Sequence, residues 1–143
     1  TVPLFQERHV VVCAPAFPLA GQSVSLLELV KQPFLLRERG SGAYEVFQNL
    51  LPQAGQMMPP VWESVSQESI LAAVRCGLGV TLLPEEMVRH DLEQGRLAQI
   101  HLTDLEPQNT VHLIYHKNKY LSPAMHNFIQ LLDECGTHAV YSP

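Results

Sequence analysis

The sequence predicts an α/β fold. Short apolar runs of strand character alternate with amphipathic helical segments along most of the chain. Two predicted strands lead straight into a helix start, and glycine or proline punctuates nearly every junction. Alternation of this kind argues for mainly parallel strands covered by helices.

Val10-Val11-Val12-Cys13 is a continuous β-branched run, as expected of a strand covered on both faces in a parallel sheet. Pro15 and Pro18 take the chain out of the sheet. Ser25 with Glu28 has the form of a capping box, and Val24 with Leu29 that of a hydrophobic staple. A short helix therefore starts there and stops before Pro33. Phe34-Leu35-Leu36 reads as a buried strand that ends at Gly40-Ser41-Gly42. Ala43, Val46, Phe47 and Leu50 then recur at helical spacing, with Pro52 expected to end the helix.

Val61–Val65 reads as the next strand. Ser66 is placed to cap a helix whose apolar face is Ile70, Leu71 and Val74, with Gly77 as its C′ stop and Leu78 at C″. Val80-Thr81-Leu82-Leu83 is a strand stopped by Pro84. Glu85 and Glu86 suit the first turn of a following helix, where the dipole favours anions. After a turn at Gly95, strands are expected over Leu97–Leu102 and Thr110–His116. Ser122-Pro123 is a capped helix start, with Met125, Phe128, Ile129 and Leu132 as the buried face. Residues after Gly136 are expected to fray.

The composition narrows the function classes. The 143 residues are 46% apolar and 16% charged, which favours a packed core over disorder. No apolar run approaches the roughly 20 residues that span a bilayer, so no membrane partner is expected. The net charge is −5, and nine scattered Lys and Arg make no basic stripe for nucleic acid. The amino terminus does not read as a secretion leader and reads as a cut into a longer protein. Cys13, Cys76 and Cys135 are odd in number and far apart, so thiols in a reducing, cytoplasmic setting are expected.

Chemical motifs are sparse. His112 and His116 lie roughly 13 Å apart along a strand, too far for one zinc ion, and no Cys pair has ligand spacing. Ser41 with Glu38 and His9 makes a triad only on paper, because Gly40-Ser41-Gly42 is not a nucleophile elbow. Gly77-Leu78-Gly79 continues to Leu82 where a dinucleotide fingerprint needs glycine. No enzyme activity and no cofactor is expected. Two strand-to-helix junctions, Gly40-Ser41-Gly42 and Ser64-Val65-Ser66-Gln67, remain as anion sites, since helix N-termini present free N–H groups. Each serine alone would more often be a simple cap; it is the pair that suggests a ligand.

One segment, Ile70 to Pro84, with Gly77-Leu78-Gly79-Val80-Thr81-Leu82-Leu83-Pro84 at its end, closely resembles the helix–Gly-x-Gly–strand–Pro signature of LysR-type transcriptional regulators. Arg8–Pro15 followed by Pro18-Leu19-Ala20 resembles that family's strand and His-Pro-Leu-Ala crossover, with Phe17 in place of the usual His. Arg39-Gly40-Ser41-Gly42 and the closing helix at 123–134 also match.

The resemblance implies a type 2 periplasmic-binding-protein-like fold, with one complete Rossmann-like lobe and a remnant of the second. Residues 1–15 would belong to regulatory subdomain I, 16–107 to subdomain II, and 108–143 to the return into subdomain I. Chain crossings are expected near Ala14–Phe17 and Leu105–Asn109. A small-molecule effector, most simply an organic anion, would sit in the family's cleft, with Ser41, Gly42, Ser66, Gln67, Gly79 and Val80 as its lining. The full-length regulator would be a dimer or tetramer and would touch DNA only through an N-terminal helix-turn-helix. The competing expectations are a periplasmic solute-binding protein of the same fold and an enzyme on an α/β scaffold.

Overall fold

A computed structural model describes residues 1–55 and 59–139, without the side chains of Ala54 and of residues 135–139. The elements are β1 (Val2–Cys13), β2 (Ser23–Val24), α1 (Leu26–Leu29), β3 (Leu35–Arg37), α2 (Gly42–Ala54), β4 (Trp62–Ser64), α3 (Gln67–Arg75), β5 (Thr81–Pro84), α4 (Glu85–Glu93), β6 (Ala98–Leu102), β7 (Gln108–Leu113) and α5 (Pro123–Ala139).

The chain forms two compact units, Arg8–Gln108 and a smaller one built from Thr1–Glu7 with Asn109–Pro143. The first division falls earlier than the crossing expected at Ala14–Phe17. Val10–Cys13 belongs to the larger unit because its register partners, in β5 and β6, lie there. The expected subdomain II, residues 16–107, falls wholly within the larger unit.

Strands β2, β6, β1 and β5 are neighbours in that order, and β7 also pairs with β1. Strand β3 pairs with β4 in parallel, and a parallel bridge from Phe34 to Val80 links this pair to the approach of β5. The expectation of mainly parallel strands needs one correction. β2 and β6 are parallel, and β5, β3 and β4 run the same way. β1 runs against both its neighbours, with His9 opposite Pro84 and Cys13 opposite Ala98. A run of buried valines reports cover on both faces, not strand direction, and so could not distinguish the two.

Alternate residues feed two cores, one on each face. Val11, Cys13, Phe34, Leu36, Val80, Leu82 and Ile100 point to the side holding Leu26, Leu29, Val46, Phe47 and Leu50 of the first two helices. Val10, Val12, Leu35 and Leu83 point to the side holding Ile70, Leu71 and Val74 of α3 and Val88 of α4.

Local signals set most helix ends. Ser25 and Glu28 close the expected capping box, and Val24 and Leu29 are buried in one cluster. At the end of α3 the amide of Leu78 donates to Ala73 O and that of Gly77 to Val74 O, a Schellman stop with Gly77 at φ +79°. Pro52 does not end α2: the helix runs on to Ala54 and stops at left-handed Gly55. Burial of Leu50 and Leu51 holds this last turn against the hydrogen bond that proline removes. The strand expected over Val61–Val65 is only Trp62–Ser64, a short edge strand with exposed flanks. α5 extends past Gly136 to Ala139, where fraying was expected; residues 140–143 lie outside the described ones.

Asp91 ties three elements of the larger unit together. Its carboxylate accepts from Arg75 at the end of α3 and from Arg96 Nε at 2.6 Å. Its carbonyl accepts the amides of Arg96 and Leu97 on the way into β6. Burial works to raise the Asp91 carboxyl, but hydrogen bonds and charge from the two arginines outweigh it and hold the pKa below the usual value. Stability from a depressed carboxyl is fully present above its unfolded pKa of about 3.9 and is lost as pH falls through the folded value. Asp91→Asn is expected to cost roughly 2 kcal/mol at pH 7, since the pair is buried on one side and wet on the other. It should also flatten the loss of stability in acid. Urea unfolding at pH 7 and pH 3 checks both, and an unchanged acid limb would refute the assignment.

The two units differ in packing. No described residue of the smaller unit is buried, and Ile114, Tyr115, Tyr120, Phe128 and Leu131 are exposed. The buried face expected for Met125, Phe128, Ile129 and Leu132 is at most partly covered. Native-state hydrogen exchange should therefore find the amides of Val10–Val12 and Thr81–Leu83 slowest and those of α5 fastest. Equal protection of α5 would contradict this.

Candidate functional site

The reversal of β1 concentrates several features at one edge of the larger unit. β3, β4 and β5 end there and lead into α2, α3 and α4. β1 enters the unit from the same edge, because its His9 pairs with Pro84 at the end of β5. β6 ends there too, since it is antiparallel to β1. The amide of His9 donates to Pro107 O, so the incoming and outgoing strands touch. A cavity of about 60 Å³ opens beside them, lined in part by Arg8, His9, Gln99, His101 and Glu106. Nothing in the sequence motifs marked it.

The parallel register Arg37↔Ser64 puts the two serine junctions in step. Ser41 Oγ accepts from Tyr44 N at 3.2 Å, and Ser66 Oγ accepts from Ser69 N at 3.3 Å. Both are therefore genuine caps. Capping occupies a lone pair of the hydroxyl and leaves its O–H able to donate elsewhere. The first-turn amides of Gly42 and Ala43, and of Gln67 and Glu68, are donors that no intrahelical bond uses. Ser64, part of the second junction but not among the expected lining residues, accepts from Ser66 N at 3.1 Å and adds a third hydroxyl at this edge.

The arginines here already face carboxylates. Arg37 donates to both oxygens of Glu38, at 2.9 and 3.1 Å. The hydrogen bond from Arg37 holds the Glu38 carboxyl below its ordinary pKa. Arg39 lies 3.7 Å from Glu63, and Arg8 lies 3.7 Å from Glu85. Positive potential at the junctions therefore comes chiefly from backbone N–H groups and helix dipoles.

Gly79 and Val80 stand apart from these residues. They precede β5, at its amino end, whereas Ser41, Gly42, Ser66 and Gln67 follow the carboxyl ends of β3 and β4. Val80 is fully buried; its N–H donates to Pro33 O and its carbonyl accepts from Leu35 N, each at 2.9 Å. A Cβ on Gly79 would come within 2.2 Å of the Pro33 carbonyl oxygen. The Gly-x-Gly signature thus closes α3 at Gly77 and lets two backbones touch at Gly79.

Cys13 is buried and its thiol is pushed up to about 11 by desolvation, while Cys76 is exposed at the end of α3. Cys135 has no described side chain.

The LysR substrate-binding domain model matches residues 1–136. The chain belongs to that family. The HTH-type transcriptional regulator YeiE of Escherichia coli is 34% identical over 131 residues, which cover 92% of this chain and 45% of that protein. The RuBisCO operon transcriptional regulator of Allochromatium vinosum is 31% identical, covering 84% and 40%. This LysR-family chain thus spans about half the length of the curated relatives it matches. The effector-binding domain of QuiR in complex with shikimate superimposes with a TM-score of 0.81 at 20% identity, covering 96% of this chain and 65% of that one. The regulatory domain of Synechocystis CcmR in complex with 2-PG gives 0.76 at 23% identity, covering 94% and 65%. The periplasmic-binding-protein-like α/β fold expected from the family resemblance is the fold observed.

Gly79→Ala should destabilise the LysR-family chain by about 3 kcal/mol, because the obstructing atom is backbone and cannot rotate away. Thermal unfolding beside Gly95→Ala, which meets open space but keeps its positive φ, isolates the contact from backbone strain. Equal losses in the two variants would show that close approach is not the reason for Gly79.

Proposed function

We propose that the chain is the ligand-sensing part of a LysR-type transcription regulator in the bacterial cytoplasm. It binds a small organic anion and through it controls DNA binding by the full-length protein. DNA contact would come from a helix-turn-helix outside these 143 residues, and the regulator would act as a homo-oligomer without catalytic activity.

The observation that carries the reading is the shared edge. Two capped helix N-termini, held in step by the β3–β4 register, open where the chain enters and leaves the larger unit. A ligand bound there can bias the hinge through which the rest of a regulator is attached. Ser41 and Ser66 would donate their hydroxyl protons, and Gly42 and Gln67 their amides. Gly79 and Val80 would support the site only indirectly, by fixing β5 against Pro33 and Leu35. QuiR and CcmR, known with shikimate and with 2-PG, favour a small-molecule effector, and regulators among the relatives favour this reading over a periplasmic solute-binding protein.

Two substitutions at each serine separate capping from binding. Ser→Ala removes cap and donor together; binding should weaken by about 1 kcal/mol and helix stability should also fall. Ser→Asp keeps a good cap but cannot donate and repels an anion. Calorimetry on the intact regulator, across a panel of carboxylates and neutral analogues, is expected to show Ser41→Asp and Ser66→Asp as stable as the parent and unable to bind. Undiminished binding in both would remove the hydroxyls from the site. Tighter binding to a cation would overturn the electrostatic reading.

A further inference from the structure

The segment that carries the chain out of the larger unit is held by partners from far away in the sequence. β2 and β6 pair in parallel as far as Val24↔Leu102. Beyond that pair Thr103 donates twice to Val24 O, from its amide at 3.0 Å and from its hydroxyl at 3.4 Å. Asp104 then accepts the amide of Leu26 on both carboxylate oxygens, at 3.2 and 3.1 Å. Pro107 O accepts from His9 N at 2.8 Å, and the unit ends at Gln108.

The Leu26 amide needs such a partner. The Ser25–Glu28 box satisfies the amides of Ser25 and Glu28 and leaves that of the first helical residue unused. Leu26 is buried, and a buried donor left without an acceptor is costly. Asp104 is exposed, so water is the alternative partner of its carboxylate. Packing does not replace these bonds. A cavity of about 60 Å³ lies between the exit segment and the β1–β6 pair, lined in part by Val11, Ile100, Leu105 and Pro107. Val11↔Ile100 is also the last aligned pair of β1 and β6 toward this edge. Asp104 thus stands between the anchors at Val24 and His9, where close packing is lacking.

We propose that Asp104 is a positioning residue for the exit of the chain. By holding Leu26 it ties the exit segment to α1, and so sets where Pro107 meets His9. Leu26 and Leu29 share a core with Val46 and Phe47 of α2, the helix that Ser41 caps. A ligand at Ser41 would then reach the exit through α2, α1 and Asp104; this last step alone rests on the effector reading proposed above.

Amide hydrogen exchange of the full chain, without ligand, tests the latch. Asp104→Ala is expected to speed exchange at Leu26 and at His9 by about tenfold and to leave Val12 and Leu82 unchanged. Asp104→Asn keeps one acceptor oxygen and should retain most of the protection at both positions. Faster exchange at Leu26 alone in Asp104→Ala would make Asp104 a local cap and overturn the proposal. Equal acceleration at Val12 and Leu82 would reduce its role to general stability and overturn it as well. The calorimetry of the serine variants tests the effector reading separately, so either can fail alone.

Discussion

The direction of β1 is the constraint on which the larger unit depends. Its five other strands share one direction, and a strand set against them must enter from the edge where they end. That edge is also where the helices begin. Chain entry, chain exit and two clusters of unsatisfied helix donors are therefore gathered in one place by backbone pairing alone. A parallel β1 would have put the entry at the opposite edge, beside Gly79 and Val80.

Serine capping at this edge is compatible with ligand binding because a hydroxyl has separate donor and acceptor functions. Ser41 and Ser66 spend acceptor capacity on their own helices and keep a proton to give. The neighbouring arginines keep less in reserve. Arg37 is closed onto Glu38 in a bidentate pair, while Arg39 and Arg8 each have a glutamate at the limit of an ion pair. Under the proposed effector reading, selectivity at the junctions would rest on oriented backbone dipoles and hydroxyls, which are short in reach. Such donors discriminate by geometry more than by net charge.

Cohesion is distributed unevenly. The larger unit has two apolar layers, one on each face of its sheet, and Asp91 fastens α3, α4 and the start of β6 on one of them. The smaller unit has strand and helix but no buried described residue. Hydrogen bonding alone gives little net stability, so this unit has little of its own to hold it.

Much of this was legible in the residues themselves. The Ser25–Glu28 box, the caps at Ser41 and Ser66 and the stop at Gly77 each involve groups within a few positions of one another, so local sequence determines them. The continuous apolar run of Val10 to Cys13 and the apolar stripes of α2 and α3 are equally local, and with them came the fold class and the family. Other features were decided only by tertiary structure. Whether β1 runs with or against its neighbours, why Gly79 must lack a side chain beside Pro33, why α2 survives Pro52, and which glutamate meets which arginine all depend on surfaces brought together from distant parts of the chain. A periodic pattern specifies which face of an element is apolar. It does not specify what that face will meet, because pairing partners are chosen by packing of the whole sheet and leave no signature in the segment itself.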